Sequence, residues 1–96
     1  MTEGVTLCAI LRVPAAGLDA FRAYEAAVLP LLAEHGGELQ RQLRTADGLT
    51  EVHIIPFPSA ACLDAYRAEP RRLAHAGLFE ASGAVGEGLM VTDAGT

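Results

Sequence analysis

Few side chains in this sequence could do chemistry, and Tyr24, Arg41 and His53 are the ones we single out. The alternating pattern around Arg41 places its guanidinium among apolar side chains, where it could orient a carboxylate or an enolate. His53 could act as a general base, with Glu51 or Gln42 holding its other nitrogen. Tyr24 lies on the apolar side of a predicted helix. Together these groups would suit proton transfer beside a stabilised enolate.

Each of these residues also has a purely structural interpretation. Arg41 could pack its aliphatic stem at a sheet edge while its head reaches solvent or Glu25. Tyr24, like Tyr66 on a second helix, could be a core residue with one satisfied hydrogen bond rather than part of a ligand site. His53 could be held by hydrogen bonds inside a subunit interface. The residue types alone leave these alternatives open.

The sequence predicts no metal and no cofactor. Its three histidines and two cysteines are spread over separate elements, and neither HxH nor HExxH occurs. A Schiff-base mechanism is excluded because the chain has no Lys. The glycines between Gly83 and Gly88 precede a strand instead of following one, which is the wrong order for a dinucleotide-binding loop.

Composition limits the partners and the location. With 96 residues, 51% of them apolar, the chain is long enough for one domain, spanning residues 1–96. Its net charge of -5 and scattered arginines argue against nucleic acid and against an anionic membrane surface. The exclusive use of Arg as the basic residue is typical of a GC-rich, bacterial genome. Isolated Cys8 and Cys62, without a leader pattern or a spanning segment, predict a cytoplasmic protein.

A predicted hairpin gives the most definite placement. Asp47-Gly48 is a strong signal for a two-residue turn, and it pairs residues whose numbers sum to 95. Arg44 then faces Glu51, and Gln42 faces His53. The side that carries Arg41 is otherwise apolar, with Leu39, Leu43, Val52 and Ile54.

Periodicity predicts strand, helix, strand, strand, helix, strand. The first half has a strand over 5–13, a helix over 18–32 that kinks or restarts at Pro30, and a strand over 38–45. The second half has a strand that ends at 57, a helical region over 59–80 interrupted at Pro70, and a strand over 85–92. This order gives an α+β, ferredoxin-like βαββαβ fold: a four-stranded antiparallel sheet with two helices on one face. The other face would carry Thr6, Cys8, Ile10, Ile55 and Phe57, and a second copy of the chain would cover it.

Two stretches carry a resemblance to a known family. The run Tyr24-Glu25, Val28-Leu29-Pro30-Leu31-Leu32 and Glu34-His35-Gly36-Gly37, with Phe57-Pro58-Ser59 leading to Tyr66 and Pro70, resembles the dimeric α/β-barrel superfamily, and within it a small bacterial family of unknown function. The resemblance implies a homodimer joined through its sheet faces and a small cavity. Relatives include cofactor-free monooxygenases, muconolactone isomerases, haem-dependent chlorite dismutases and binding proteins, so the fold does not choose a reaction. The glycine-rich segment from Gly83 to Gly88 departs from the expected regular strand.

The favoured hypothesis is a homodimeric protein that binds a hydrophobic or enolic metabolite, as a cofactor-free oxygenase or isomerase. Arg41 or Tyr24 would stabilise an enolate, His53 would move a proton, and Tyr66 and Arg41 would bind the ligand. The alternative is a non-catalytic dimeric binding or structural module. A cavity of about 300 Å³ or more, with Arg41, Tyr24 or Tyr66 on its wall, would favour the first, and a closed apolar interior would favour the second.

Overall fold

A computed structural model describes residues 4–95 of the chain. The strands β1 (Val5–Arg12), β2 (Arg41–Arg44), β3 (Thr50–Phe57) and β4 (Val85–Val91) form one antiparallel sheet in the order β2-β3-β1-β4. The helices α1 (Leu18–Val28), α2 (Ala60–Arg67), α3 (Pro70–Leu73) and α4 (Ala76–Ser82), with short 3-10 helices at Ala15–Gly17 and Leu29–His35, pack on one side of it. The predicted α+β, ferredoxin-like fold is confirmed.

The first helical region divides at Pro30, as predicted. α1 ends at Val28, and Pro30 occupies the first turn of the following 3-10 helix, where its missing N–H costs no hydrogen bond. Gly36 ends this segment in the left-handed conformation, with φ of 75°. The Gly37 amide then donates to the Leu32 carbonyl at 2.9 Å, which turns the chain back toward β2.

The hairpin has the predicted register but a different turn. Arg44 pairs with Glu51 and Gln42 with His53, as the sum of 95 requires. The connection is a four-residue loop, 46–49, in which the amide of Gly48 donates to the Thr45 carbonyl at 2.9 Å. Gly48 is the last residue of this turn and has a φ of 76°, a left-handed conformation that glycine adopts without strain.

The two sheet faces differ from the prediction at β3. Thr6, Cys8 and Ile10 do lie on the face away from the helices. Ile55 and Phe57 do not: both are buried on the helix-covered face, in a core that also contains Leu7, Leu31, Leu32, Leu63 and Tyr66. The prediction was wrong because the polar residues of the same strand face suggested a wet surface. In the structure Glu51 and His53, which share that face, are buried as well and form a hydrogen bond with each other.

Strand β4 is regular despite its glycines. It pairs with β1 without a bulge from Thr6 and Val91 to Arg12 and Val85. α4 ends just before it at Gly83, in the left-handed conformation with φ of 73°. No helix within residues 4–95 is both long and apolar enough to cross a bilayer.

Candidate functional site

A cavity of about 450 Å³ lies between the helix-covered face of the sheet and the helices. Its lining is mostly apolar and includes Leu7, Ala9, Leu11, Phe21, Val28, Ile55 and Phe79. This volume is within the range of small-molecule sites.

The cavity exists because strand residues on its floor are small. Gly86 and Gly88 both face the helices, and each lies opposite a β1 residue, Leu11 and Ala9 respectively. A Cβ added at Gly86 would approach the Leu11 side chain to 3.2 Å, and one at Gly88 would approach Leu7 to 3.3 Å. The two-residue spacing of these glycines therefore keeps side chains out of the space beneath α1 and α4.

A buried cluster of two carboxylates and one imidazole adjoins the cavity. His53 Nε2 lies 2.8 Å from Glu51 Oε1 and 3.3 Å from Glu25 Oε2. All three side chains are buried, and both Glu25 and His53 line the cavity. Because an ionised carboxylate only accepts hydrogen bonds, Nε2 carries a hydrogen in this arrangement.

Glu51 is the anchor of the cluster. Its side chain is 1% exposed, yet Oε2 accepts from Arg44 Nε at 2.9 Å and lies 3.4 Å from Arg22 Nη1. The other oxygen also accepts from Gln42 Nε2 at 3.1 Å. Two guanidiniums and an amide thus compensate the charge of a carboxylate that would otherwise be costly to bury.

The environment moves the three pKa values in different directions. Burial raises the pKa of Glu25 and outweighs its hydrogen bond with His53. Burial also opposes the charged form of Glu51, but its contacts with Glu25, His53, Gln42 and Arg44 hold its pKa at about 2. For His53, burial favours the neutral ring, and the hydrogen bonds with Glu25 and Glu51 prevail and raise its pKa. The environment therefore favours the protonated forms of Glu25 and His53 and the ionised form of Glu51.

Glu25 Oε2 is the polar atom best placed to take up a further proton. It is buried and lies 3.3 Å from His53 Nε2, while the hydrogen on that nitrogen is directed at the nearer Glu51 oxygen, 2.8 Å away. A carboxylate whose pKa is raised is a stronger base than an ordinary one. The geometry therefore permits general-base chemistry at the cavity wall.

The two predicted tyrosines both line the cavity, in different ways. Tyr24 is half-buried, and its ring packs on Phe79 with centroids 5.2 Å apart. Tyr66 is buried and donates its hydroxyl to the Val28 carbonyl at 3.4 Å. The hydroxyl of Tyr66 is thus engaged as in a core tyrosine, while that of Tyr24 has no hydrogen-bond partner within residues 4–95.

Arg41 does not join this site. It pairs with Ile54 across the hairpin, so it lies on the face of the sheet away from the helices, and it is exposed. The prediction that it shares a cavity with Tyr24 and His53 is wrong. Its apolar strand neighbours were taken for the core side, whereas they belong to the uncovered face of the sheet.

Comparison with solved structures identifies the fold. SnoaB, a cofactor-independent oxygenase from Streptomyces nogalater, superposes with a TM-score of 0.79 at 23% identity, over 99% of this chain and 97% of that one. Rv0793 from Mycobacterium tuberculosis gives a TM-score of 0.72 at 24% identity, over 98% and 100%. The chain has the same ferredoxin-like α+β fold as these two proteins. The resemblance inferred from the sequence is confirmed at the level of fold.

Another solved structure with this fold belongs to a protein of unknown function. Atu4242 of Agrobacterium tumefaciens, a NIPSNAP-family protein of unknown function, has a TM-score of 0.71 at 20% identity, over 93% of this chain and 86% of that one. Models of known protein families and curated protein sequences give no match to this chain. The shared ferredoxin-like fold therefore does not identify a reaction, which has to be argued from the residues of the site.

The buried cluster also has the composition of a metal site. Glu25, Glu51 and His53 offer three ligand atoms within 4.8 Å of one another. The charge of Glu51 is already compensated by Arg22 and Arg44, however, and these guanidiniums would repel a cation. That the protein binds no metal stays a prediction.

Sequence reasoning missed Glu25 as a functional residue. A signal was present, since Glu25 lies four residues after Phe21 and three before Val28, on the side of α1 that faces the core. A carboxylate at such a position needs a partner. Its partner His53 was recognised, but it was assigned to the opposite face of the sheet.

Proposed function

We propose that this protein binds a small, largely apolar metabolite in the cavity and removes a proton from it, as a cofactor-free oxygenase or isomerase. The observation that carries the proposal is the buried pair of Glu25 and His53 on the wall of a mostly apolar space. An apolar surround strengthens electrostatic interactions with a developing enolate and keeps water away from it.

The chemistry follows from the positions of the groups. Glu25 Oε2 takes a proton from carbon, and the imidazolium of His53 beside it limits the build-up of negative charge. The Tyr24 hydroxyl donates to the enolate oxygen. Reprotonation at another carbon completes an isomerisation. In the oxygenase reaction the carbanion reduces dioxygen, so that a methylene group and O₂ become a carbonyl group and water, with one oxygen atom in each product.

Two observations favour this proposal over a non-catalytic module. The cavity of about 450 Å³ exceeds the lower end of ligand-site volumes, about 300 Å³, and Tyr24, Glu25 and His53 supply polar atoms to it. SnoaB, which shares the fold, is a cofactor-independent oxygenase. That likeness supports the oxygenase reaction for this chain.

We further propose a homodimer joined through the uncovered sheet faces. That face presents Ile10, Val52, Ile54, Leu43 and Leu89, and the last two are 42% and 43% exposed. A face of this kind is suited to a second copy of the chain. Cys8 and Cys62 are both free thiols, which supports the proposed cytoplasmic location.

Hydrogen exchange into a carbon acid tests the proton-transfer step. Bicyclic enolisable ketones such as 2-tetralone are incubated with the protein in D₂O, and loss of the α-hydrogen signal is followed by NMR. The parent protein should accelerate exchange, and Glu25→Gln or His53→Gln should reduce that acceleration by about 100-fold or more. Arg41→Gln, on the far face of the sheet, is the control and should retain it.

The products separate the possible outcomes. Oxygen uptake, measured with an electrode, would indicate an oxygenase, and migration of a double bond under nitrogen would indicate an isomerase. Ketones that bind in the cavity without any acceleration of exchange by the parent protein would contradict the enzymatic proposal. That result would support the non-catalytic binding module instead.

A further inference from the structure

We infer that the cavity selects an amphipathic anion, with Arg67 and Arg72 holding its carboxylate at the rim while its apolar body lies inside. This inference rests on the proposed function, because it names the substrate class of the same site. Both arginines line the cavity, Arg67 as the last residue of α2 and Arg72 within α3.

The rim arginines differ from most others in the chain. Of seven arginines, four lie within 4 Å of a glutamate among residues 4–95: Arg12, Arg22, Arg44 and Arg71. Neither Arg67 nor Arg72 has such a carboxylate within the described part of the chain. In an acidic protein, guanidiniums left unpaired beside a cavity are available to an anionic ligand.

Arg72 is held in place without an anionic partner among residues 4–95. Its guanidinium lies over the Tyr66 ring, with Cζ 5.1 Å from the ring centroid, and Nη1 donates to the Arg67 carbonyl at 3.3 Å. Its Nε is buried and has no acceptor among residues 4–95. A side chain fixed by stacking and one backbone bond loses little further freedom on binding a carboxylate.

Gly88 makes room for the second guanidinium. A Cβ at this position would lie 3.6 Å from Arg67 Nη2, so the Arg67 head extends over β4 where the strand has no side chain. The same glycine forms part of the cavity floor. The head of Arg67 and the opening of the cavity are therefore adjacent.

The acidic residues near the cavity do not cancel this charge. Glu87 lies on the other face of β4, where its carboxylate is 3.8 Å from Arg12. Glu25 is engaged with His53 at the inner wall. Glu80 lies at the rim and is exposed, so its single negative charge is outnumbered there by the two positive charges of the arginines.

A matched pair of ligands separates charge from shape. The probes are 2-naphthoate and 2-naphthamide, which differ in charge and hardly in size, and their fluorescence is read without indole background because the chain has no Trp. At low ionic strength and neutral pH, the parent protein should bind the carboxylate about 10-fold more tightly than the amide, the gain expected from one charge-assisted hydrogen bond.

The variants assign this preference to the rim. Arg67→Gln with Arg72→Gln should bring the two dissociation constants within about twofold by weakening naphthoate alone, because the amide gains nothing from the guanidinium charge. Arg41→Gln removes the same charge from the far face, at an arginine that has no carboxylate partner among residues 4–95, and should keep the preference. If the double variant melts early, Arg67→Gln alone serves, since the Arg67 guanidinium makes no hydrogen bond or ion pair within residues 4–95.

The outcomes distinguish this inference from the function on which it rests. Equal affinity of the parent protein for both probes, or a preference that survives in the double variant, would overturn the anion selectivity while leaving the cavity as a binding site. Loss of binding of both probes in Ala9→Leu, which fills the floor of the cavity, locates them there. Failure of the parent protein to bind either probe would overturn the proposed function, and the inference with it.

Discussion

At the scale of residues, the fold depends on Glu51 because so many polar groups share this one carboxylate. It is 1% exposed and contacts Arg22, Arg44, Gln42 and His53. A buried polar network of this kind stabilises the fold while every member is satisfied and destabilises it when one is removed.

Glu51→Gln should therefore lower the free energy of unfolding by about 2 kcal/mol, because two guanidiniums and the imidazolium lose their counter-charge. The matched control is Glu87→Gln. It removes the same charge from an exposed pair with Arg12, 3.8 Å apart, and should cost less than about 1 kcal/mol. Urea denaturation measures both changes. Equal losses in the two variants would contradict the role assigned to Glu51.

The thermal stability of the protein should depend on pH through the cluster of Glu25, Glu51 and His53. The pKa of His53 is raised above 6.5 in the folded protein, so its charged form stabilises the fold fully below pH 6.5, and this contribution disappears as pH rises through the folded pKa. The raised pKa of Glu25 has the same sign, but its contribution begins to be lost above pH 4.5, the ordinary value of a glutamate. The Tm of the parent protein should thus fall as the solution is made alkaline from pH 6.5.

Two variants test whether His53 causes this fall in Tm. His53→Gln should flatten the profile above pH 6.5, while His75→Gln, at the start of α4, should leave the fall as it is in the parent protein. Thermal denaturation followed by circular dichroism gives the profiles. A parent Tm that stays level or rises over this range would contradict the raised pKa of His53.

The sequence identified part of this cluster. The neighbours Glu51 and His53 share a strand face by their spacing alone, and Glu51 was one of the two partners predicted for His53, with Gln42 as the other. Glu25 joins them from another element, so its role depends on which face of the sheet α1 covers. The polarity of Glu51 and His53 predicted the wrong face of the sheet, because a carboxylate and an imidazole can be buried together when they form a hydrogen bond.

At the scale of elements, local signals fixed the hairpin register, the restart at Pro30 and the end of the 3-10 helix at Gly36. Each is decided within a few residues, where backbone chemistry dominates. The role of the β4 glycines was not predictable in this way. Gly86 and Gly88 matter through Leu11 and Leu7 on β1, which are distant in sequence.

Gly17 and Gly77 offer a contrast in helix packing. A Cβ at Gly17 would overlap the Ser82 carbonyl, where the start of α1 meets the end of α4, while nothing lies within 4 Å of one at Gly77. Gly17→Ala should cost about 3 kcal/mol, and Gly77→Ala should gain up to about 0.5 kcal/mol from helix propensity. Chemical denaturation tests both, and a neutral Gly17→Ala would contradict the close approach of the two elements.

At the scale of the whole molecule, one sheet face is covered by the chain's own helices and the other is not. The exposed apolar side chains on the second face lead to the proposed homodimer. Light scattering should therefore give a mass of about 20 kDa, twice the 10.0 kDa of the chain.

Leu89→Glu tests which surface makes the dimer. Leu89 pairs with Cys8 on the uncovered face, so a carboxylate there should reduce the mass to that of a monomer. Leu73→Glu is the matched control, because Leu73 is 54% exposed on α3 and away from this face. A monomeric parent protein, or a dimer that survives in Leu89→Glu, would contradict the proposed interface.

The central claim is that the ligand lies between sheet and helices, and the three isoleucines of the chain can test it in one NMR titration. Ile55 lines the cavity, whereas Ile10 and Ile54 lie on the opposite face. With the isoleucine δ1 methyl groups labelled with ¹³C, addition of 2-tetralone should shift the Ile55 signal and leave the other two in place. Shifts of Ile10 and Ile54 with an unchanged Ile55 would contradict the account.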